Sequence, residues 1–131
     1  MTSHVIDPAA RPYDPATVAT KPEAGVEPLA ALDLRVGIVT AVAPFPAARK
    51  PAWQLTVDLG PVLGERRASA QLTNYDEHEL LGRRVVCAVN LGTRRIADFT
   101  SELLVLAGLE ADGTPRLLEI DGELPPGSVV A

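Results

Sequence analysis

The chain has 131 residues, 47% of them hydrophobic, which suits one small domain with a modest core and argues against two. Its net charge of −5 argues against a protein that coats nucleic acid by bulk electrostatics, a mode that needs a basic domain. No apolar run approaches the roughly 20 residues of a membrane helix. The N-terminus MTSHVIDPAARPYD also lacks the blocks of a signal peptide, so a cytoplasmic protein without membrane insertion is expected. Pro8, Pro12, Pro15, Pro22 and Pro28 punctuate a start with no sustained apolar period, which cannot offset its ordering entropy by burial. Residues 1–27 are therefore expected to be a flexible leader and 28–131 the folded domain, with a short helix over Glu27 to Leu32 packing through Leu29 and Leu32.

In Leu34 to Val42 the apolar residues Leu34, Val36, Ile38 and Val42 fall on one face, predicting a strand with one buried face, and Gly37 inside it predicts a bulge or sharp coil. A proline-rich connection, APFPAARKP, carries Arg49 and Lys50 into the clearest strand, where Trp53, Leu55, Val57 and Leu59 alternate with polar residues. After a turn at Gly60-Pro61 comes RRASAQLT, residues 66–73, with Ala68, Ala70 and Leu72 on one side and Arg67, Ser69, Gln71 and Thr73 on the other. By alternation alone this is a half-solvated structural strand or a binding surface. Asn74 as N-cap with Glu77 three residues later predicts a short helix ending at Gly82. Arg84 to Asn90 is apolar on both faces, as in a closed barrel, with Arg94 and Arg95 in the loop beyond. Leu103 to Leu109, Arg116 to Ile120 and a short terminal segment complete the strands. Five or six short strands, one short helix between the third and fourth and no long helix predict an all-β architecture, a five-stranded OB-fold barrel.

Charge is unevenly spread. Nine basic residues stand against six acids between Asp33 and Ile96, and eight of the nine come as adjacent pairs; from Ala97 onward seven acids face Arg116 alone. Such a split permits one basic patch on an acidic molecule, and solvated loop ends give the same count. Catalytic chemistry has no visible apparatus. His4 lies in the leader and His78 in the short helix, no Ser-His-Asp or Cys-His set and no metal-ligand spacing stands out, and no enzyme activity, cofactor or metal is expected. The single cysteine, Cys87, sits in the apolar run VVCAVNL and reads as a buried, inert thiol. Trp53 is expected to pack inside, and Phe45, Tyr75 and Phe99 to be core or loop plugs.

The succession LDLRVGIV (32–39), FPAARKPA (45–52), SAQLT (69–73), VNL (89–91) and SELLVL (101–106) closely resembles the CsaA-like branch of the tRNA-binding-domain family, in order and over about residues 28–131. The resemblance implies an OB-fold core, a symmetric homodimer and binding of tRNA or another structured RNA; CsaA-like members are also described as chaperones for unfolded or export-bound polypeptides. Carried over by position, it implies a binding role for Arg49 and Lys50 in the basic loop, Ser69 and Gln71 on the third strand, Asn90 at the end of the fourth, and the Ser101-Glu102 pair. Arg94 and Arg95 are added as phosphate-directed cations, because guanidinium groups match phosphate geometry. Gly92-Thr93 replace the family's common proline pair, expected to loosen the loop presenting Arg94 and Arg95; Thr100 replaces a methionine, removing an apolar contact from the pocket. The resemblance does not extend to Arg66 and Arg67. For a polypeptide ligand, an apolar groove around Pro51, Leu72 and Phe99 is expected.

Overall fold

The computed structural model describes residues 11–131. A short helix α1 (Glu27–Ala31) leads into the longest strand, β1 (Leu34–Pro44), followed by β2 (Trp53–Asp58), a one-turn helix α2 (Gly60–Leu63), β3 (Glu65–Ala70) and α3 (Glu77–Leu80). Then come β4 (Arg84–Ala88), the pair β5 (Arg94–Ile96) and β6 (Phe99–Ser101), β7 (Leu104–Val105), the pair β8 (Ala107–Leu109) and β9 (Pro115–Leu117), and β10 (Val129–Val130). The main sheet runs β3-β2-β1-β4-β7, with β10 also on β1, and every pairing is antiparallel. The result is the predicted all-β, OB-like barrel.

β1 makes the curve possible. Its first half pairs with β4, Leu34 opposite Ala88 to Ile38 opposite Arg84, and its second half with β2 through Pro44 opposite Trp53. The strand turns between the two partners at two points. Gly37 is buried and comes so close to β2 that a Cβ would sit 2.4 Å from Val57 Cγ1 and 3.0 Å from Leu59 Cδ2. The bulge lies further on, at Thr40, where the register skips from Val39 to Ala41. The bend also changes which side faces in: Val39 is 1% exposed whereas Ile38 is only half-buried, against simple alternation.

The core gathers Val39, Leu55, Val57, Leu59, Ala68 and Leu80 with both faces of β4, where Val85, Val86, Cys87 and Ala88 are all buried. Burial pushes the Cys87 thiol up to about 12, so it stays protonated and unreactive. Trp53 packs against this core and its indole N–H donates to the Tyr75 carbonyl at 3.1 Å, while the Tyr75 hydroxyl accepts from the Leu117 amide at 3.0 Å.

Several boundaries differ from the sequence expectation. β3 leaves the ladder at Ala70, because β2 begins opposite it at Trp53 and offers no partner to Gln71. The N-cap of α3 is Asp76, whose amide donates to Glu79 Oε1 at 2.9 Å, and Asn74 is drawn off to the Pro115 carbonyl. The run Leu103 to Leu109 is split between β7 on β4 and β8 on β9, and the strand expected to reach Ile120 ends at Leu117. Leu29 and Leu32, expected to pack, are 59% and 40% exposed. His4 and the first part of the expected leader lie outside the described residues; residues 11–26 form no helix or strand, and the Tyr13 amide donates to the Ala111 carbonyl at 3.1 Å. Among the described residues no helix is long and apolar enough to cross a membrane.

Candidate nucleic-acid interface

The third strand keeps its alternation: Ala68, Ala70 and Leu72 are buried and Arg67, Ser69 and Gln71 face outward or stand half-exposed. Its edge away from β2 is where the barrel closes. The closure uses side chains as much as backbone. The Ser101 hydroxyl accepts from the Ser69 amide at 3.0 Å, Glu102 Oε1 accepts from the Arg67 amide at 3.1 Å, and the Glu102 amide donates to the Arg67 carbonyl at 2.8 Å. A three-residue strand cannot supply a full ladder, so adjacent short acceptors complete the pairing that buried amides require. Ser101 is 8% exposed and its oxygen is engaged in this seam. Ser101 and Glu102, expected at the ligand, are placed by the fold in this seam, bonded to β3.

Two basic segments flank the end of β3. The 45–52 connection folds inward through Phe45 and Ala52, and the β5–β6 hairpin through Phe99, forming a satellite cluster apart from the main core. The Phe45 and Phe99 rings lie 5.2 Å apart at an interplanar angle of 52°, a favourable tilted geometry. This cluster fixes the Arg49-Lys50 loop against the strand carrying Arg94. Arg94 and Arg95, expected in a loop, thus stand on a paired strand, Arg94 opposite Ser101 and Arg95 opposite Thr100. The hairpin turns at Ala97, held at φ 53°, with Arg95 Nε donating to its carbonyl at 3.1 Å.

Between these elements opens a cavity of about 570 Å³. Arg49, Lys50, Ser69, Gln71 and Arg94 all line it, so three cations from two separate segments meet two neutral polar side chains, Ser69 of β3 and Gln71 just beyond its end. The rest of the lining is largely apolar, with Leu104, Leu106, Leu109 and Pro115, and Ile96 from β5. The apolar surface is thus not around Pro51 and Phe99: Pro51 is exposed outside the cavity and Phe99, 2% exposed, is sealed in the satellite cluster. Leu72 alone of the expected three contributes.

Four expected residues are not on this lining: Ser101 and Glu102, held in the seam with β3, and Arg95 and Asn90. Arg95 bonds back to its own turn. Asn90 sits past the end of β4, where its Oδ1 accepts from the Asp33 amide and its Nδ2 donates to the Ala31 carbonyl, each at 2.8 Å, tying α1 to the barrel. Nothing in the local sequence signals that role, because its partners lie 57 and 59 residues away. Arg67, which sequence reasoning set aside, lies with its guanidinium 4.3 Å over the Phe99 ring.

Residues 34–129 match the family model described as "Putative tRNA binding domain". The methionine–tRNA ligase of Methanosarcina acetivorans is 30% identical over 124 residues, covering 95% of this chain and 17% of the ligase. The chain spans about a sixth of the length of such curated relatives. Among solved structures, the CsaA chaperone protein of Picrophilus torridus superposes with a TM-score of 0.79 at 38% identity, covering 83% of this chain and all of that one. The chaperone CsaA of Bacillus anthracis gives 0.78 at 40% identity, over 84% and 100%. The barrel, its ordered motifs and these matches agree: the chain belongs to the tRNA-binding domain family, as a CsaA-like member.

Proposed function

We propose that this protein binds tRNA without catalysing a reaction on it, with Arg49, Lys50 and Arg94 on phosphates and Ser69 and Gln71 on the sugar or base edges of an unpaired segment. The observation that carries this reading is the meeting of those five side chains around one open cavity of about 570 Å³. An unpaired segment suits it because A-form duplex hides its base edges in a narrow major groove. Arg95 adds a cation to the rim of the same hairpin, whereas Ser101, Glu102 and Asn90 act on the ligand only by positioning β3 and α1. The test is a tRNA titration between about 50 and 200 mM salt: three phosphate contacts give a log–log slope of at least about −2. No binding near physiological salt overturns the reading.

The apolar lining of Leu104, Leu106, Leu109 and Pro115 favours a second reading, capture of unfolded polypeptide as in a chaperone. The two separate in one experiment, because affinity for an unfolded client holds or strengthens as salt rises while RNA affinity falls.

The same proposal includes a homodimer. A five-residue helix that buries none of its residues is not stable on its own. It also leaves Val26, Leu29 and Leu32 exposed beside Leu91, next to the Asn90 tie. A second copy covering this strip would double the RNA footprint and raise avidity. Sedimentation is expected to give a dimer mass for the full chain and a monomer mass for Leu29→Asp; a monomeric wild type removes the dimer.

A further inference from the structure

Arg67 is held at both its backbone and its side chain. Its backbone is clamped on both sides, by Thr56 across the β2–β3 ladder and by the reciprocal pair of hydrogen bonds to Glu102. Its side chain is fixed as well. Its guanidinium carbon Cζ lies 4.3 Å from the Phe99 ring centroid, and Nη2 donates to Gln54 Oε1 at 3.3 Å. Phe99 is sealed beneath it at 2% exposure while Arg67 itself is exposed, so the ring covers the guanidinium on one side and the residue stays open to solvent.

Arg67 is not on the cavity lining itself but neighbours it along β3. Ser69 is two residues further along the same side of β3, about 7 Å away at the usual strand rise, and lines the cavity. An exposed flat group is otherwise scarce at this site: Phe45, Tyr75 and Phe99 are buried, and Trp53 is half-buried with its indole N–H committed. A phosphate would bind in the plane of the guanidinium, where the Gln54 carbonyl already holds one edge. A nucleobase would bind on the face, and guanidinium planes serve RNA-binding proteins in that way.

We propose that Arg67 is a stacking platform for one unpaired nucleobase beside the cavity, with Phe99 as the support that fixes the guanidinium plane. This inference rests on the tRNA-binding reading and adds a base contact to its phosphate contacts. Lysine at this position keeps the charge and loses the plane, which gives the test.

The full-length wild type, Arg67→Lys and Arg67→Ala are titrated with tRNA at two salt concentrations, and with a short single-stranded RNA carrying one 2-aminopurine, whose fluorescence falls when it stacks. The wild type is expected to quench the 2-aminopurine. Arg67→Lys is expected to bind tRNA about tenfold more weakly, with an unchanged salt slope and no quenching. Full affinity in Arg67→Lys, or no quenching by the wild type, overturns the platform. So does a loss confined to Arg67→Ala with the slope reduced by about one, the signature of a phosphate contact. A wild type that fails to bind tRNA at all overturns the tRNA-binding reading itself and the platform with it, an outcome distinct from a selective failure at Arg67.

Discussion

Gly37→Val is expected to cost about 3 kcal/mol and to lower the melting temperature by roughly 12 °C. The Cβ alone would meet Val57 Cγ1 at 2.4 Å and Leu59 Cδ2 at 3.0 Å, and both partners are fully buried. Val57 is β-branched and stiff about χ1, so it cannot swing clear within a packed interior. Gly37→Ala meets the same first contact without the two added methyls and is expected to lose about half as much. The damage is more than local, because β1 passes from β4 to β2 just beyond Gly37, at Ile38. Thermal melts of the two variants check this: a Gly37→Val melting temperature within 2 °C of wild type removes the close approach as a constraint on the fold.

The second large effect is on binding. Arg49→Ala with Lys50→Ala is expected to weaken tRNA binding about 100-fold, roughly one tenfold step per lost charged contact. The salt slope should become shallower by about 1.5. Stability should not follow, since Arg49 is exposed, Lys50 is only half-buried, and surface changes of this kind stay within about 0.5 kcal/mol. The apolar anchor of the loop, Phe45 with Ala52, is untouched by the double change, so the connection keeps its course. Affinity within threefold of wild type, at an unchanged melting temperature, takes the loop out of the interface.

Much of this architecture is legible in the sequence because it is written in local periodicity. The one-sided alternation of Trp53 to Leu59 and of Ala68 to Leu72, and the two-sided apolar run of β4, each report burial of the residues that carry them. What escaped is set by partners far along the chain. β5 and β6 are short and largely polar, and they exist as a hairpin because Phe99 finds Phe45. The Ser101-Glu102 pair is visible as a motif, yet its work is to bond amides 32 and 35 residues away, which no local pattern shows. For the same reason Asn90 reads as a strand end and acts as a tie. Arg49, Lys50, Ser69, Gln71 and Arg94 are each marked by family spacing or basic pairs; their meeting around one cavity, and the apolar residues that share its lining, required the fold-back of β7 and β8.

The satellite cluster has a thermodynamic consequence. Phe45, Ala52 and Phe99 join the two basic arms to each other, and they share no member with the cluster that stabilises the barrel. Small apolar groups of this kind open at lower free energy than the main core of a domain. The two arms are therefore coupled to each other through a cluster of their own, while the β5–β6 arm is also tied to the barrel through Ser101. On the proposed binding mode, a ligand that restrains the Arg49 arm also restrains the Arg94 arm through this cluster, so the two arms lose entropy together rather than separately.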